Sequence, residues 1–189
     1  MSGTANVHPE AELHPSKIEL LSDWLPTQPW FDGDPASLER IAFYRLVDPG
    51  GEVGLDCMLI LSGASVFHVP VTWRAEPLPE GDLIGTLEHS VLGTRYCYDA
   101  PSDPVFVAEL TRVITEADTD ADVIGEGEEE PRPRTIAVKG SGTVSGKKLE
   151  GTPVVVRKLD GAWPESGANL VGTWQPGGEG RTDVLACLD

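Results

Sequence analysis

The sequence predicts an α+β protein with a curved antiparallel sheet, flanking helices and a small all-β unit in its C-terminal part. Two segments carry apolar residues at helical spacing, one after residue 16 and one after residue 103. Between them, three runs alternate apolar and polar residues with a period of two, and short turn-forming sequences join the runs. Such runs form neighbouring antiparallel strands, and helices outside a block of strands are typical of the α+β class.

The first helix is predicted to begin after Ser16. Ser16 is a good N-cap, and Glu19 stands three residues later, which is the spacing of a capping box. Apolar residues then recur at helical spacing, namely Ile18, Leu21, Trp24 and Leu25. Pro26 ends the helix because it cannot donate a backbone hydrogen bond.

The alternating runs predict strands over 38–47, 53–61 and 65–74, and a fourth strand is predicted over 94–99. In the third run, Phe67, Val69, Val71 and Trp73 share one face, whereas His68, Thr72 and Arg74 share the other. One-sided alternation of this kind predicts that one face of the sheet is covered and the other is wet.

A second helix is predicted after Ser102 or Asp103, either of which suits the N-cap, and Pro104 suits the first helical position. Its apolar stripe consists of Phe106, Val107, Leu110, Val113 and Ile114. Glycine-rich turns separate four further strand-like runs, over 134–139, 152–159, 169–174 and 182–188. The C-terminal part is therefore predicted to be all-β.

Charge divides the chain. It has 31 acidic and 14 basic residues, a formal net charge of −17, and residues 116–130 contain eight acids and no base. Residues 131–189 have a small excess of bases. This distribution predicts a first unit over 1–115, a solvated and mobile linker over 116–133, and a β-rich unit over 134–189. The last unit is short, so it is expected to pack on the first, with its bases against an acidic surface.

The same composition excludes several classes of protein. An acidic chain lacks the concentrated basic face that nucleic acids or anionic membranes require. Its three cysteines, Cys57, Cys97 and Cys187, form no Cys-x-x-Cys pair, so we expect no cysteine zinc site and reduced thiols. The sequence shows no signal peptide and no run of about 18 apolar residues. A cytoplasmic protein without a cofactor or metal is predicted.

Part of the chain resembles the N-terminal cap domain of actinobacterial maltokinases. The resemblance lies in VPVTWR at 69–74, LIGTLEHSVLG at 83–93, RYCYD at 95–99 and DP at 103–104, and it extends over about residues 10–115. It implies a curved antiparallel sheet with flanking helices, similar to a cystatin-like fold. In that family the cap precedes a kinase body that phosphorylates maltose with ATP.

Kinase chemistry is not expected from this chain. No histidine follows residue 115, so the H-x-D type of catalytic loop is missing. The strand-like 136–139 and the glycine-rich 140–146 stand in the reverse order to the kinase glycine loop and lysine strand. We therefore interpret this region as a hairpin connection, and only the cap, not its activity, is expected from the resemblance.

Glu88-His89-Ser90 is the best local cluster of residue types that catalyse reactions. Neighbours on one strand point apart, however, so His89 is expected to hydrogen-bond within the sheet or to orient Glu88. A weaker interpretation is a polar ligand or partner surface on the wet face of the sheet. Its predicted members are Arg74, Glu88, His89 and Arg95, with Trp73 or Tyr96 as an aromatic platform.

Two functions remain open at this stage. The first is a non-catalytic interaction or regulatory module that binds a protein partner in maltose, trehalose or glycogen metabolism, a link implied only by the resemblance. The second is a sugar-binding protein or carbohydrate-acting enzyme. Its pocket would lie between the wet face and loop 75–93, with Glu88 and Asp99 as conceivable paired carboxylates. The oligomeric state is left open.

Overall fold

A computed structural model describes residues 3–143, 151–161 and 167–188. Besides four short 3-10 helices, the α-helices and strands of this described part are, in chain order, β1 Thr4–Val7, β2 Leu13–His14, α1 Lys17–Trp24, β3 Glu39–Val47, β4 Gly54–Ser62, β5 Ser65–Arg74, β6 Leu83–His89, β7 Gly93–Asp99, α2 Pro104–Thr115, β8 Asp122–Gly125, β9 Ile136–Gly140, β10 Val154–Val155, β11 Ala168–Trp174 and β12 Arg181–Leu188.

The predicted α+β class is confirmed. A curled antiparallel sheet of six strands has the order β2-β6-β7-β5-β4-β3. A separate antiparallel sheet of four strands near the C-terminal end has the order β10-β12-β11-β9, and β1 pairs with β8 in parallel. Among the described residues of the C-terminal part, strands form as predicted, with one short 3-10 helix at Pro176–Gly178, but the run at 152–159 forms only the short β10. Residues 144–150, in the predicted hairpin connection, lie outside the described residues.

Both predicted helices form with the predicted caps. Ser16 Oγ accepts from the Glu19 backbone N–H at 3.3 Å, and Glu19 Oε2 accepts from the Ser16 N–H at 2.8 Å. At α2, Asp103 accepts from the Val105 N–H at 3.0 Å, and Pro104 occupies the first helical position. In the part of the chain that the structure describes, no helix has the length and apolarity needed to cross a membrane.

Sequence reasoning missed β1, β2 and β6. The first two are short, and each exists only by pairing with a strand far along the chain, β8 for β1 and β6 for β2. Strand β6 lies against α1, where a Cβ on Gly85 would come within 2.7 Å of Leu20 Cδ1. Glycine at this position lets the helix pack closely on the strand.

Strands β4 and β5 are buried on both faces, so the prediction of one wet face is wrong for these two strands. On one face lie Leu21 and Leu25 with the aromatic segment 24–31. We call this the α1 face. On the other, the α2 face, lie α2 and the inner side of the C-terminal sheet. Near-continuous burial results because a second layer covers each face, and the unbroken apolar run at 57–61 in β4 is the sequence signal of this burial.

The predicted linker is not a solvated spacer throughout. Asp118, Asp120 and Ala121 are buried. The Asp120 carboxylate accepts from the Val138 N–H at 2.9 Å and from Arg134 Nε at 2.8 Å. The expectation of solvation is wrong for 118–125, because these contacts and β8 hold that segment, and it describes the exposed residues 116–117 and 126–133. The division into units at 1–115, 116–133 and 134–189 stays a prediction.

The C-terminal part packs on the first unit, as expected. One apolar cluster joins side chains of both, including Leu59 of β4 and Leu170 of β11. Arg157 Nη2 donates to Asp99 Oδ1 at 2.7 Å, and Lys158 Nζ donates to Asp32 Oδ2 at 2.6 Å. Two bases of the C-terminal part therefore meet acids of the first unit, whereas Arg181 pairs with Asp183 within the C-terminal part.

Asp56 is a buried charge on the α1 face. Arg45 Nε lies 2.7 Å from its Oδ1, Lys17 Nζ donates to its Oδ2, and Trp73 Nε1 donates to Oδ2 at 3.0 Å. Burial by itself would raise the pKa of Asp56, but the charges of Arg45 and Lys17 and these hydrogen bonds outweigh burial and lower it. The carboxylate thus ties α1, β3 and β5 to β4.

Asp56→Asn should destabilise the protein by about 3 kcal/mol, because two cations then lose the buried charge that pairs with them. Urea unfolding measures this change. Asp32→Asn, which removes the carboxylate of an exposed pair with Lys158, is the control and should change stability little. Equal effects of the two substitutions would contradict this role of Asp56.

His68 is a buried polar residue on the α2 face. Its Nδ1 lies 3.1 Å from the Leu185 carbonyl oxygen, so Nδ1 carries the proton and donates it there. Nε2 then accepts from the Tyr44 hydroxyl at 3.0 Å. This pair of bonds joins β3, β5 and β12. Burial lowers the pKa of His68 to about 3.

His68 should make stability depend on pH. Its folded pKa lies below the ordinary value of 6.5, so the unfolded chain takes up a proton first as the pH falls. The contribution of neutral His68 to the free energy of unfolding is complete above pH 6.5. About 2 kcal/mol of this free energy should be lost as the pH falls from 6.5 to 5. Unfolding free energies of the wild type and His68→Gln measured across this range should show a flatter profile for the variant. His14→Gln, at an exposed position, should keep the wild-type slope, and a slope unchanged by His68→Gln would refute the assignment.

Candidate functional site

The pairing of β5, β6 and β7 decides which predicted site residues lie together. Residues paired directly across antiparallel strands have side chains on the same face. Tyr96 of β7 pairs with Arg74 of β5 on one side and with Thr86 of β6 on the other, and Glu88 pairs with Thr94. Arg74, Tyr96 and Glu88 therefore lie on the α2 face.

The other three predicted residues lie on the opposite, α1 face. Trp73 pairs with the buried Cys97, Arg95 pairs with Leu87, and His89 follows two residues after Leu87. The prediction that Arg74, Glu88, His89 and Arg95 share one face is thus wrong, because the strand period of two separates consecutive residues. Whether any of the six residues contacts a ligand or partner stays a prediction.

Arg74 holds α2 to the sheet. Its Nε and Nη2 each donate to Asp103 at 2.7 Å, and Thr72 Oγ1 donates to the same carboxylate at 2.8 Å. Burial would raise the pKa of Asp103, but the hydrogen bonds from Arg74, Thr72 and the Val105 N–H lower it. This bidentate pair fixes the N-cap of α2, which is a structural role.

Trp73 is not available as an aromatic platform. It is 9 % exposed, its Nε1 donates to Asp56, and the Lys17 ammonium lies 5.2 Å from its ring centre. Tyr96 is half-buried on the other face, beside the exposed Thr86. Glu88 is exposed there and accepts from Thr94 Oγ1 at 2.7 Å. The α2 face of the six-strand sheet is thus open over the ends of β6 and β7 next to their turn, around Glu88 and Thr94, whereas Tyr98 further along β7 is buried.

The conceivable carboxylate pair does not form. Asp99 pairs with Val71 and lies on the α1 face, whereas Glu88 lies on the α2 face. Arg157 binds Asp99, and burial raises the pKa of this carboxyl group against the opposing effect of Arg157. A glycosidase-type pair requires two carboxyl groups that face one substrate.

His89 instead braces the turn between β6 and β7. Its Nδ1 accepts from the backbone N–H groups of Val91 and Leu92, each at 3.2 Å. Arg95 Nη2 donates to the Leu92 carbonyl at 2.6 Å. A ring nitrogen that accepts carries no proton, and burial lowers the pKa of His89, with the charges of His8, Arg95 and Lys17 adding to this effect. His89 thus has a structural role, as expected, but its partners are the amides of the turn, and Glu88, which it was expected to orient, lies on the opposite face.

The N-terminal segment supports the same turn. Ser90 N–H donates to the Glu12 carbonyl and Ser90 Oγ accepts from the Glu12 N–H, both at 3.0 Å. The His8 ring lies edge-on at 5.7 Å from His89, and His8 Nδ1 is 2.7 Å from Glu126 Oε2. Gly93 closes the turn with a φ of 73°, a conformation that favours glycine.

Val91 and Leu92 project from this braced turn with 56 % and 45 % of their surfaces exposed. Val91 and Leu92 were not predicted as site residues, because the neighbouring His89 and Glu88, whose side chains are of types that catalyse reactions, were considered in their place. Two adjacent large apolar residues between Ser90 and Gly93 were the available signal, since turns favour small and polar residues.

An open groove of about 650 Å³ lies on the C-terminal sheet, away from all six predicted residues. Its lining includes Thr119, Arg134, Lys139, Ser141 and Thr173. Across 3–143, 151–161 and 167–188, no three His, Cys, Asp or Glu side chains come together in a way that could hold a metal ion.

The fold is that of an α+β protein built on a curled antiparallel sheet with helices against it. Residues 24–103 match the family model of the maltokinase N-terminal cap domain, which confirms the resemblance seen in the sequence. The match covers most of the six-strand sheet and ends at the N-cap of α2. No curated protein and no solved structure matches the chain.

His89→Ala should loosen the turn without unfolding the sheet. The Val91 and Leu92 amides lose their acceptor, so their hydrogen exchange should accelerate by roughly tenfold, which corresponds to about 1 kcal/mol for a lost hydrogen bond. Amide exchange measured by NMR tests this, with the buried amides of β4 and β5 as the internal reference. His14→Ala should leave the turn unchanged, and unaltered exchange at Val91 and Leu92 in His89→Ala would contradict the bracing role.

Proposed function

We propose that this chain is a non-catalytic module that binds a protein partner, an enzyme of maltose, trehalose or glycogen metabolism. The link to that metabolism rests on the similarity of residues 24–103 to the maltokinase N-terminal cap domain. The proposal includes a cytoplasmic location, where free cysteines stay reduced.

The observation that carries the proposal is the use of the chemistry-bearing side chains of β5, β6 and β7. Arg74 is bonded to Asp103, Glu88 to Thr94, and His89 to the turn amides. A general acid or base must reach a substrate proton, and a nucleophile needs a base beside it. The hydrogen bonds of Arg74 and His89 instead hold α2 and the β6–β7 turn in place, which supports a structural role for these side chains and not a catalytic one.

The charge of the chain favours recognition of another protein. Many of its basic side chains form ion pairs with acids of the same chain, for example Arg157 with Asp99 and Arg134 with Asp120. The net charge of −17 is therefore presented to the outside largely as exposed acids. An acidic surface steers association with a basic partner, and such binding weakens as salt screens the charges.

Affinity capture tests the proposal. The immobilised full chain, mixed with native extract at low ionic strength, should retain one enzyme acting on maltose, trehalose or glycogen in stoichiometric amount. The complex should weaken at least roughly tenfold when the salt concentration is raised to about 0.5 M, because of charge screening. An unrelated bait of similar size and net charge controls for ion-exchange capture. If no stoichiometric partner appears, or if both baits retain the same proteins, the proposal fails.

A further inference from the structure

We infer that the β6–β7 turn, residues 90–93, is a docking point that inserts Val91 and Leu92 into an apolar pocket with a basic rim on the protein partner. This inference rests on the proposed function and names the surface and the chemistry that the partner must offer. Three features of the turn carry it: its exposed apolar side chains, its bracing and the charges around it.

The exposed apolar side chains are the first feature. Among the described residues, the exposed large apolar side chains are Leu83, Val91, Leu92 and Val154. Only in the turn are two of them neighbours in sequence, at the outermost point of a hairpin. Apolar surface held in water gains free energy when a partner covers it, and adjacent exposed apolar residues mark contact sites more than isolated ones do.

Bracing is the second feature. Five hydrogen bonds hold the turn from three directions: two into His89 Nδ1, one from Arg95, and two with Glu12. A loop that is already ordered does not lose conformational entropy again on binding. His89, Arg95 and Glu12 therefore hold Val91 and Leu92 in a fixed arrangement, which is what a docking point requires.

Charge is the third feature, and it selects the kind of partner. Glu12, Glu88 and Glu126 surround the turn and are exposed, whereas Arg95 is half-buried and bonded to the Leu92 carbonyl. A partner pocket rimmed by lysine or arginine would complement these acids. A second copy of this chain would bring the acidic rims together, and like charges facing each other oppose association.

Photo-crosslinking in the full chain locates the contact. Benzoylphenylalanine placed at position 92 should crosslink to the same enzyme that the wild-type chain captures. The crosslinked peptide of that enzyme should contain apolar residues together with lysine or arginine. The same probe at position 154, which is 67 % exposed but lies on the C-terminal sheet, is the matched control and should yield no such product.

Substitution measures the contribution of the two side chains. Val91→Ser combined with Leu92→Ser should weaken binding of the captured enzyme by roughly tenfold or more, as expected when buried contact residues are removed. Val154→Ser should leave the affinity unchanged. All these positions are exposed, so thermal unfolding of the variants should match that of the wild type and exclude misfolding as the cause.

The outcomes separate this inference from the proposed function. Two results would overturn the docking point but leave the proposed function as a protein-binding module intact. In the first, the wild type captures the enzyme but position 92 does not crosslink to it; in the second, the double variant binds the enzyme as well as the wild type does. If position 92 crosslinks mainly to a second copy of the chain, the assigned partner is wrong. If the wild type captures no stoichiometric partner, both the proposed function and the docking point fall.

Discussion

Burial of β4 and β5 on both faces is the constraint on which the structure depends. The covers come from distant parts of the chain, with α1 on one face and α2 with the C-terminal sheet on the other. Each face also holds buried polar groups that must be satisfied, among them Asp56, which pairs with Arg45 and Lys17, and His68, which bonds Leu185 and Tyr44. These bonds fix how the covering elements pack on each face of the sheet. Any other packing arrangement would leave a buried charge or hydrogen-bond donor without a partner.

The same constraint explains where the molecule presents a surface. Over β4 and β5 both faces are occupied, so residues such as Trp73 and Arg74 serve Asp56 and Asp103 inside the fold. Beyond them the turn end of the β6–β7 hairpin leaves the covered region, and there its α2 face and its turn meet solvent. The polar residues near the turn brace it, and its apolar residues remain outside. This is the reverse of the usual arrangement, in which polar residues meet solvent and buried apolar residues stabilise the fold.

Features that depend on neighbours within a few residues were predictable. The capping box of Ser16 and Glu19, the cap of Asp103 and the strands around 38–74 all follow from spacing along the chain. Burial of acids was not predictable in the same way. Asp120 belongs to a run of acids that indicates a solvated spacer, yet its carboxylate is buried and accepts hydrogen bonds from Arg134 and the Val138 N–H. Nothing in the acidic run itself distinguishes a buried aspartate from an exposed one.

By itself, the sequence determined the α+β class, most of the local elements, the acidic character and the resemblance of one segment to the maltokinase cap domain. These properties arise from residue periodicity, caps and composition, which are local or additive. Only the tertiary structure decided which faces are covered, that Arg74 and Arg95 lie on opposite faces of the sheet, and that Val91 and Leu92 stand exposed on a braced turn. Those outcomes depend on contacts between residues far apart in the chain, such as His68 with Leu185, whose geometry exists only once the layers have packed.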